Sequence, residues 1–270
     1  MAEGASHCVV VSHWVGHDLA VTRRLLRQMQ RRPAGRPFDL VIVCNGGGLS
    51  AEALPAPPAG VGLTIVNREN AGYNIGAWDA GWRAAPGYDY YLFLQDECRL
   101  RRRGWLEAFE ARHREIGAPA LLGEGLMWPD MTWEEVIASS RRDFTPRHAD
   151  PDAETTVEIY RRLLGEMGIP EGPVATHLQT LVVFADGALL TRMDGLPNRT
   201  PYREAVACEI GLSRKAASLG ARIERVDPAR GFAVIAHPEW VGWGFVMKRL
   251  RRRWYWAKGW LKARLGLDRG

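Results

Sequence analysis

Apolar positions along this chain recur in two rhythms. Residues 8–12, Cys-Val-Val-Val-Ser, are a short β-branched run bounded by polar residues, the pattern of a buried strand. Across 18–32 the apolar positions Leu19, Leu25, Leu26 and Met29 fall at helical spacing with arginines between them, and Pro33, Gly35 and Pro37 stop the pattern. Strands follow at 38–44 and 61–66, the first stopped by Asn45-Gly46-Gly47-Gly48, with a proline-rich loop at 54–60 between them. A Gly/Asn-rich turn at 67–76 leads into a helix ending near Pro86, and a strand at 90–94 ends in Gln95-Asp96-Glu97. Strand, helix, strand, strand, helix, strand at these lengths predicts an α/β domain with a mostly parallel, mixed sheet flanked by helices.

The second half is less regular. Thr132-x-x-Glu135 opens an apolar-periodic segment as a capping box does. Asp150-Pro151 suits a helix start, and the stretch from Gly165 to Pro173 ends that helix, so 130–172 reads as a helical insertion. A strand is expected at 180–184, a helix from Thr200-Pro201 to Gly220, and short strands at 222–226 and 232–236. No internal repeat is present.

Length and composition fit this picture. At 270 residues, 46% hydrophobic and 25% charged, the chain suits one large α/β domain. No apolar stretch approaches the ~18–20 residues needed to cross a bilayer. Residues 1–8 carry no basic start followed by an apolar run, so no secretory signal is evident and a cytoplasmic location is expected. Cys8, Cys44, Cys98 and Cys208 lie far apart and imply neither a zinc site nor a disulfide framework.

The net charge of +5 is unevenly spread. Residues 245–270 hold nine Lys/Arg against Asp268 alone, which leaves 1–244 slightly acidic. The domain is therefore not expected to bind nucleic acid. In 245–265, Val246, Leu250, Trp254, Ala257, Leu261 and Leu265 fall at helical spacing among Lys and Arg. That pattern fits an interfacial helix on an anionic membrane surface, or a terminal helix packed on the domain with solvated arginines.

The candidate chemistry gathers where the predicted strands end, and in covered parallel sheets ligands bind beyond the carboxyl ends of the strands. Ser12, Asn45, the 67–76 turn and Asp96-Glu97 all follow strands. Asn70-x-Gly72-x-Asn74-x-Gly76 sits between strand and helix, where glycines admit a ligand to the backbone and helix-start amides favour phosphate; a turn needing positive φ uses the same residues. Neither a GK[ST] nor a GxGxxG pattern is present. Adjacent carboxylates at a strand end either bind a divalent cation, Mg²⁺ or Mn²⁺, or lie solvated facing Arg99 and Arg101 to Arg103.

Glu209, embedded among apolar residues, is either on an outer helix face or a general base aimed into a site. His237 follows a strand and is a structural imidazole or a metal ligand. His177 and Gln179 stand at another strand entrance, within reach of a substrate. His7, His13 and His17 lack metal-like partners and are expected on the surface or in loops.

The order of these parts resembles family 2-like glycosyltransferases of the GT-A fold, and more narrowly the bacterial rhamnan synthesis protein F-like group, over roughly residues 6–237. Asn70-x-Gly72 followed by Ala77-x-Asp79-x-Gly81 is similar to the family's turn, with Asn74 where the narrower group has an acid. Leu94-Gln95-Asp96-Glu97 resembles the DxD motif with Gln95 at its first acid, and Gly104-Trp105-Leu106 is also family-like. Cys208-Glu209, with Leu212-Ser213-Arg214 and Gly220 after it, resembles the segment carrying the catalytic base. His177-Leu-Gln179-Thr180 is similar to a His-x-Gln-Ser of the narrower group, and Cys44-Asn45 stands where a nucleotide-contacting Asp is usual.

The resemblance implies an inverting transfer of a hexose or deoxyhexose in bacterial surface polysaccharide synthesis. The donor would be a nucleotide-sugar and the acceptor a glycan or lipid-linked molecule. Glu209 would be the base; Ser12, Asn45, Asn70, Gly72, Asn74, Asp79 and Asp96 would bind donor. Asp96, Glu97 and His237 would hold the metal, and His177 and Gln179 the acceptor. A non-catalytic binding module is the main alternative, since Gln95 and Cys44 depart from the pattern. A nucleotidyltransferase would want a basic phosphate loop, which Ser12-His13-Trp14 is not.

Overall fold

A computed structural model describes residues 5–144 and 154–240. In chain order it has β1 (His7–Trp14), α1 (Leu19–Arg31), β2 (Phe38–Asn45), β3 (Leu63–Arg68), α2 (Tyr73–Ala84), β4 (Tyr90–Gln95), β5 (Arg99–Leu100) and α3 (Trp105–Ile116). Then come β6 (Ala120–Gly123), β7 (Leu126–Met127), α4 (Trp133–Phe144), α5 (Thr156–Glu166), β8 (His177–Leu178), β9 (Val182–Asp186), α6 (Gly187–Arg192), α7 (Tyr202–Ser218), β10 (Arg222–Arg225) and β11 (Ile235–Ala236).

Seven strands form the central sheet in the order β10-β6-β9-β4-β1-β2-β3. β1 pairs in parallel with β2 and β4, β2 with β3, and β10 with β6, while β9 runs antiparallel between β4 and β6. The mostly parallel mixed sheet expected from the sequence is present. From β1 the chain builds outward through β2 and β3, then returns to place β4 on the other side of β1. That reversal is a topological switch point, and it opens a crevice beyond the ends of β1 and β4.

The sheet buries both faces. Val9 and Val11 of β1 join Leu25, Leu26, Trp105 and Phe109 on one side, with α1 and α3. Cys8 and Val10 join Ile75, Trp78, Leu189 and Leu212 on the other, with α2, α6 and α7. This explains the continuous apolar runs, since a strand covered on both faces has no polar alternation to show. Helix α2 lies close: a Cβ on Gly81 would stand 2.4 Å from Val10 Cγ1. A third cluster, centred on Trp133, Val136, Leu164 and Ile210, seats the helical insertion against α7.

Both insertion helices have capping boxes. The Thr132 amide donates to Glu135 Oε2 (2.8 Å) and the Glu135 amide to Thr132 Oγ1 (3.2 Å). Thr155 and Glu158 repeat the device at the start of α5. Asp150-Pro151 and the 245–265 segment lie outside the described residues.

Several expectations need correction. β1 extends two residues further than its apolar run, so His13 lies in the strand and is buried, as is His7; neither is a surface or loop residue. β3 and β9 each begin two residues later than expected, and the 232–236 strand contracts to Ile235–Ala236. Asn74 and Gly76 belong to the first turn of α2 rather than to the loop before it. α3 and β6, a central strand, carried no clear signal: four residues are too few to show a period.

Candidate functional site

At the switch point the polar residues divide between two places. Asp96 follows β4 and is 2% exposed. Its carboxylate is bonded to His13 Nδ1 at 2.7 Å, accepts from Thr22 Oγ1 at 3.2 Å, and lies 3.4 Å from His17 Nδ1. His13 arrives from β1 and Thr22 from α1, so this cluster ties helix to sheet. Ser12 points to the other face, where its hydroxyl donates to Asn74 Oδ1 (3.1 Å). Asn45 Nδ2 donates to the Tyr73 carbonyl (3.1 Å) and its Oδ1 lies 3.4 Å from Arg68 Nη1. Ser12 and Asn45 thus sit buried beneath the β3–α2 turn and hold it in place.

The second place is a cleft of about 390 Å³, within the size range of small-molecule sites. Its walls include Asn74, Gln95, Glu97, His177, Gln179, Glu209, His237 and Glu239. β4 supplies Gln95, which is anchored by a bond from Nε2 to the Thr180 carbonyl (3.1 Å). β8 supplies His177, α7 supplies Glu209, and the residues after β11 supply His237 and Glu239. Three carboxylates face this space, and no Lys or Arg is among the described residues that line it.

The two histidines of the cleft have opposite tautomers, each set by the bond its Nδ1 makes. His177 Nδ1 donates to the Ala175 carbonyl (2.9 Å), so Nε2 keeps its lone pair. His237 Nδ1 accepts from the Glu239 amide (3.2 Å), so Nε2 carries the proton. That N–H is buried without a hydrogen-bond partner among the described residues, 3.7 Å from Glu97 Oε2. Burial lowers the pKa of each ring to about 4, more than Asp96 raises that of His237, so both are neutral at pH 7.

Glu209 stands where the cleft opens. Its side chain meets solvent, yet protein surrounds it on most sides. This crowding raises its pKa above the usual carboxylate range, opposed by a hydrogen bond with Thr180 and assisted by the Glu239 charge. The carboxylate also lines a smaller cleft on the α2 side, together with Gly72, Asn74, Tyr73 and Tyr202. Glu209 and Asn74 are the residues common to both spaces.

The structure therefore brings together Glu97, His177, Gln179, Glu209, His237 and Asn74. Gly72 lines the smaller cleft and serves as the left-handed N-cap of α2, with φ +70°. Asp79 lies elsewhere: it is buried, bonded to Arg83 Nε (2.9 Å), and accepts from the Leu196 amide (2.9 Å). Asn70 is exposed before α2 and lines neither cleft. Asp96, Ser12 and Asn45 support the site from behind.

A divalent cation would find a partial fit. Among the described residues no three His, Cys, Asp or Glu side chains converge as a metal centre. Asp96 is engaged by His13 and Thr22. His237, with its proton on Nε2, is a hydrogen-bond donor in this arrangement. Metal-bound imidazoles present the reverse arrangement, donating from their other nitrogen to an acceptor. Glu97 remains, with its oxygens toward a cleft rich in negative charge. Such a site suits a cation that arrives already bound to an anionic ligand.

One supporting residue, Glu124, and the supporting role of another, Arg214, escaped the sequence reading. Glu124 follows β6 and is 1% exposed; its Oε1 accepts from the Val234 (3.2 Å) and Ile235 (2.5 Å) amides, while Oε2 has no hydrogen-bond partner among the described residues. It fixes the segment that carries His237, and burial pushes its pKa up to about 7. The only hint is an acid between two glycines, Gly123 and Gly125. Arg214 on α7 is buried and donates to the carbonyls of Val174 and Thr176, just before His177. No family model matches the chain, and no curated protein is similar enough to match it.

Proposed function

We propose that this protein is a glycosyltransferase, in keeping with the resemblance of its motifs to family 2-like enzymes of the GT-A fold. The carrying observation is Glu209, a carboxylate of raised pKa that is shared by two adjoining clefts at the switch point of a mostly parallel sheet. A base between two compartments is what transfer between two substrates requires. The nucleotide-sugar occupies the larger cleft. Glu209 takes the proton of an acceptor hydroxyl, whose oxygen forms a bond to the anomeric carbon. The bond from that carbon to the diphosphate breaks, and the nucleoside diphosphate leaves with the electron pair, inverting the configuration.

The chain's own groups then have distinct tasks. His237 offers its Nε2–H to an oxygen in the cleft, and His177 offers its Nε2 lone pair to a hydroxyl. Holding the two substrates together accounts for much of the acceleration. Mg²⁺ or Mn²⁺ carried in with the diphosphate would meet Glu97 and neutralise the departing charge. Three carboxylates with no Lys or Arg among the described lining residues favour that arrangement over a bare diphosphate.

The test is calorimetry with a panel of sugar nucleotides, with and without Mg²⁺ or Mn²⁺, followed by a transfer assay on Glu209→Gln. Expected are cation-assisted donor binding and loss of transfer in the variant. Full transfer by Glu209→Gln refutes the base assignment. A second reading, a binding module without catalysis, is favoured by Asp96, whose carboxylate is occupied by protein donors; donor binding with no transfer to any acceptor supports it. No described helix is long and apolar enough to cross a membrane. For the basic 245–265 segment we retain an anionic membrane surface on the cytoplasmic side as partner; unchanged liposome flotation after removal of 245–270 refutes it.

A further inference from the structure

Four large hydrophobic side chains are exposed among the described residues: Trp14, Val15, Tyr73 and Tyr202. Trp14 ends β1, Val15 follows it, and Tyr73 and Tyr202 open α2 and α7. All four thus gather around the crevice end of the sheet. Tyr73 and Tyr202 meet edge to face, with ring centroids 6.2 Å apart and planes at 70°, so together they form a corner. Tyr202 is 68% exposed and Tyr73 49%. Neither ring supports the core, so packing does not explain their position.

Tyr73 is held there against its preference. Its φ of +52° lies in the left-handed region, where a bulky residue is a genuine outlier. Such strain persists where surrounding structure enforces it. Here Asn45 bonds the Tyr73 carbonyl and Ser12 bonds Asn74, so buried strand-end residues fix the turn that presents the ring.

Helix α7 supplies the rest of the surface. Tyr202, Ala205, Val206 and Glu209 all line the smaller cleft, and their spacing of three, four and seven residues is one helix face. That face runs about 10 Å from the aromatic end to the carboxylate. Between them lie only the small side chains of Ala205 and Val206. A pyranose ring has an apolar face of C–H bonds and a polar rim of hydroxyls. The electron-rich face of an aromatic ring takes the first, and a carboxylate at the far end takes a hydroxyl proton from the second. A phosphate would be repelled by Glu209.

We infer that the Tyr73–Tyr202 corner is the acceptor subsite, and that it seats the terminal sugar of a glycan with one hydroxyl directed at Glu209. This rests on the transferase reading and sharpens it. His177 and Gln179, on the larger cleft, then face the donor rather than the acceptor.

The experiment is saturation-transfer NMR on the full chain with methyl hexosides of the gluco, galacto and manno series, beside calorimetry with sugar nucleotides. Irradiating tyrosine ring protons is expected to saturate the C–H face of at least one hexoside. Tyr202→Ala should weaken that binding about fivefold to tenfold, as loss of a ring contact does, and Tyr202→Phe should retain it. Tyr73→Gly, which removes the ring and tolerates the positive φ, should act like Tyr202→Ala. Sugar-nucleotide binding should be unchanged in all three. No hexoside binding at millimolar concentration, or equal binding by wild type and Tyr202→Ala, overturns the subsite. So does loss of binding to phosphatidylglycerol vesicles in Tyr202→Ala, which would make the corner a lipid contact. Absence of sugar-nucleotide binding in the wild type refutes instead the transferase reading.

Discussion

Asp96 and Glu97 are neighbours in sequence and differ in almost everything else. The region around Asp96 is packed: His13 from the strand and Thr22 from the helix satisfy its carboxylate away from water. The region around Glu97 is a cleft whose polar groups are only partly satisfied; the His237 N–H has no hydrogen-bond partner among the described residues, burial raises the pKa of Glu209, and a third carboxylate, Glu239, stands nearby. In the turn after β4 the two side chains face opposite sides, Asp96 into the packed cluster and Glu97 into the cleft. Two acids that the sequence presents as one motif thus meet different surroundings.

The largest effect expected on either side is that of Glu209→Gln. Transfer should fall about 10²- to 10⁴-fold with donor binding retained, measured by product formation against calorimetry. In the wild type the acid limb of the pH–rate profile should lie above the usual carboxylate range. Activity should fall as pH drops through that raised pKa, because the base must be deprotonated.

Asp96→Ala should cost about 2–4 kcal/mol of stability by leaving His13 and Thr22 without their acceptor, measured by urea unfolding. If it proves neutral, the two regions are not distinct in kind. Glu124 gives a smaller effect with a defined sign. Its folded pKa of about 7 lies above its unfolded value. Its contribution is therefore fully present below the unfolded pKa and is lost as pH rises through about 7. His177 and His237, with lowered pKa values, work in the opposite direction: theirs is lost as pH falls from about 6.5 toward 4. The difference in unfolding free energy between wild type and Glu124→Gln isolates the carboxyl, and should decline by roughly 1–3 kcal/mol between pH 4.5 and 8. The smallest effect should be Glu97→Gln on stability, within about 0.5 kcal/mol. The same variant should remove the cation dependence of sugar-nucleotide binding.

Much of the fold was legible in the chain. The β-branched runs, the spacing of Leu25, Leu26 and Met29, and the stops at Asn45 and Pro86 locate most of the central parallel unit, because buried strands and amphipathic helices impose periods on sequence. The capping box at Thr132 was equally readable, since it is a local bond. What failed was short or held by tertiary contacts: β6 at four residues, and the two-residue pairings of β5 with β11 and β7 with β8. Asp79 and Asn70 matched a motif by spacing, yet spacing along a helix start does not say which way each side chain faces.

The sequence by itself determined the class of architecture, the candidate polar residues at the strand ends, and the placement of Glu209 among apolar neighbours. Those follow from patterning and composition, which are local. Only the tertiary structure decided that Asp96 is enclosed while Glu97 is not, that His177 and His237 carry their protons on opposite nitrogens, and that Glu209 stands between two clefts. Two of these depend on which distant segment approaches, α1 to Asp96 and α2 to α7, while the histidine tautomers are set by turns that bring Ala175 and Glu239, each two residues away, onto Nδ1. Such approaches are set by packing across the whole sheet, and a linear pattern does not contain them.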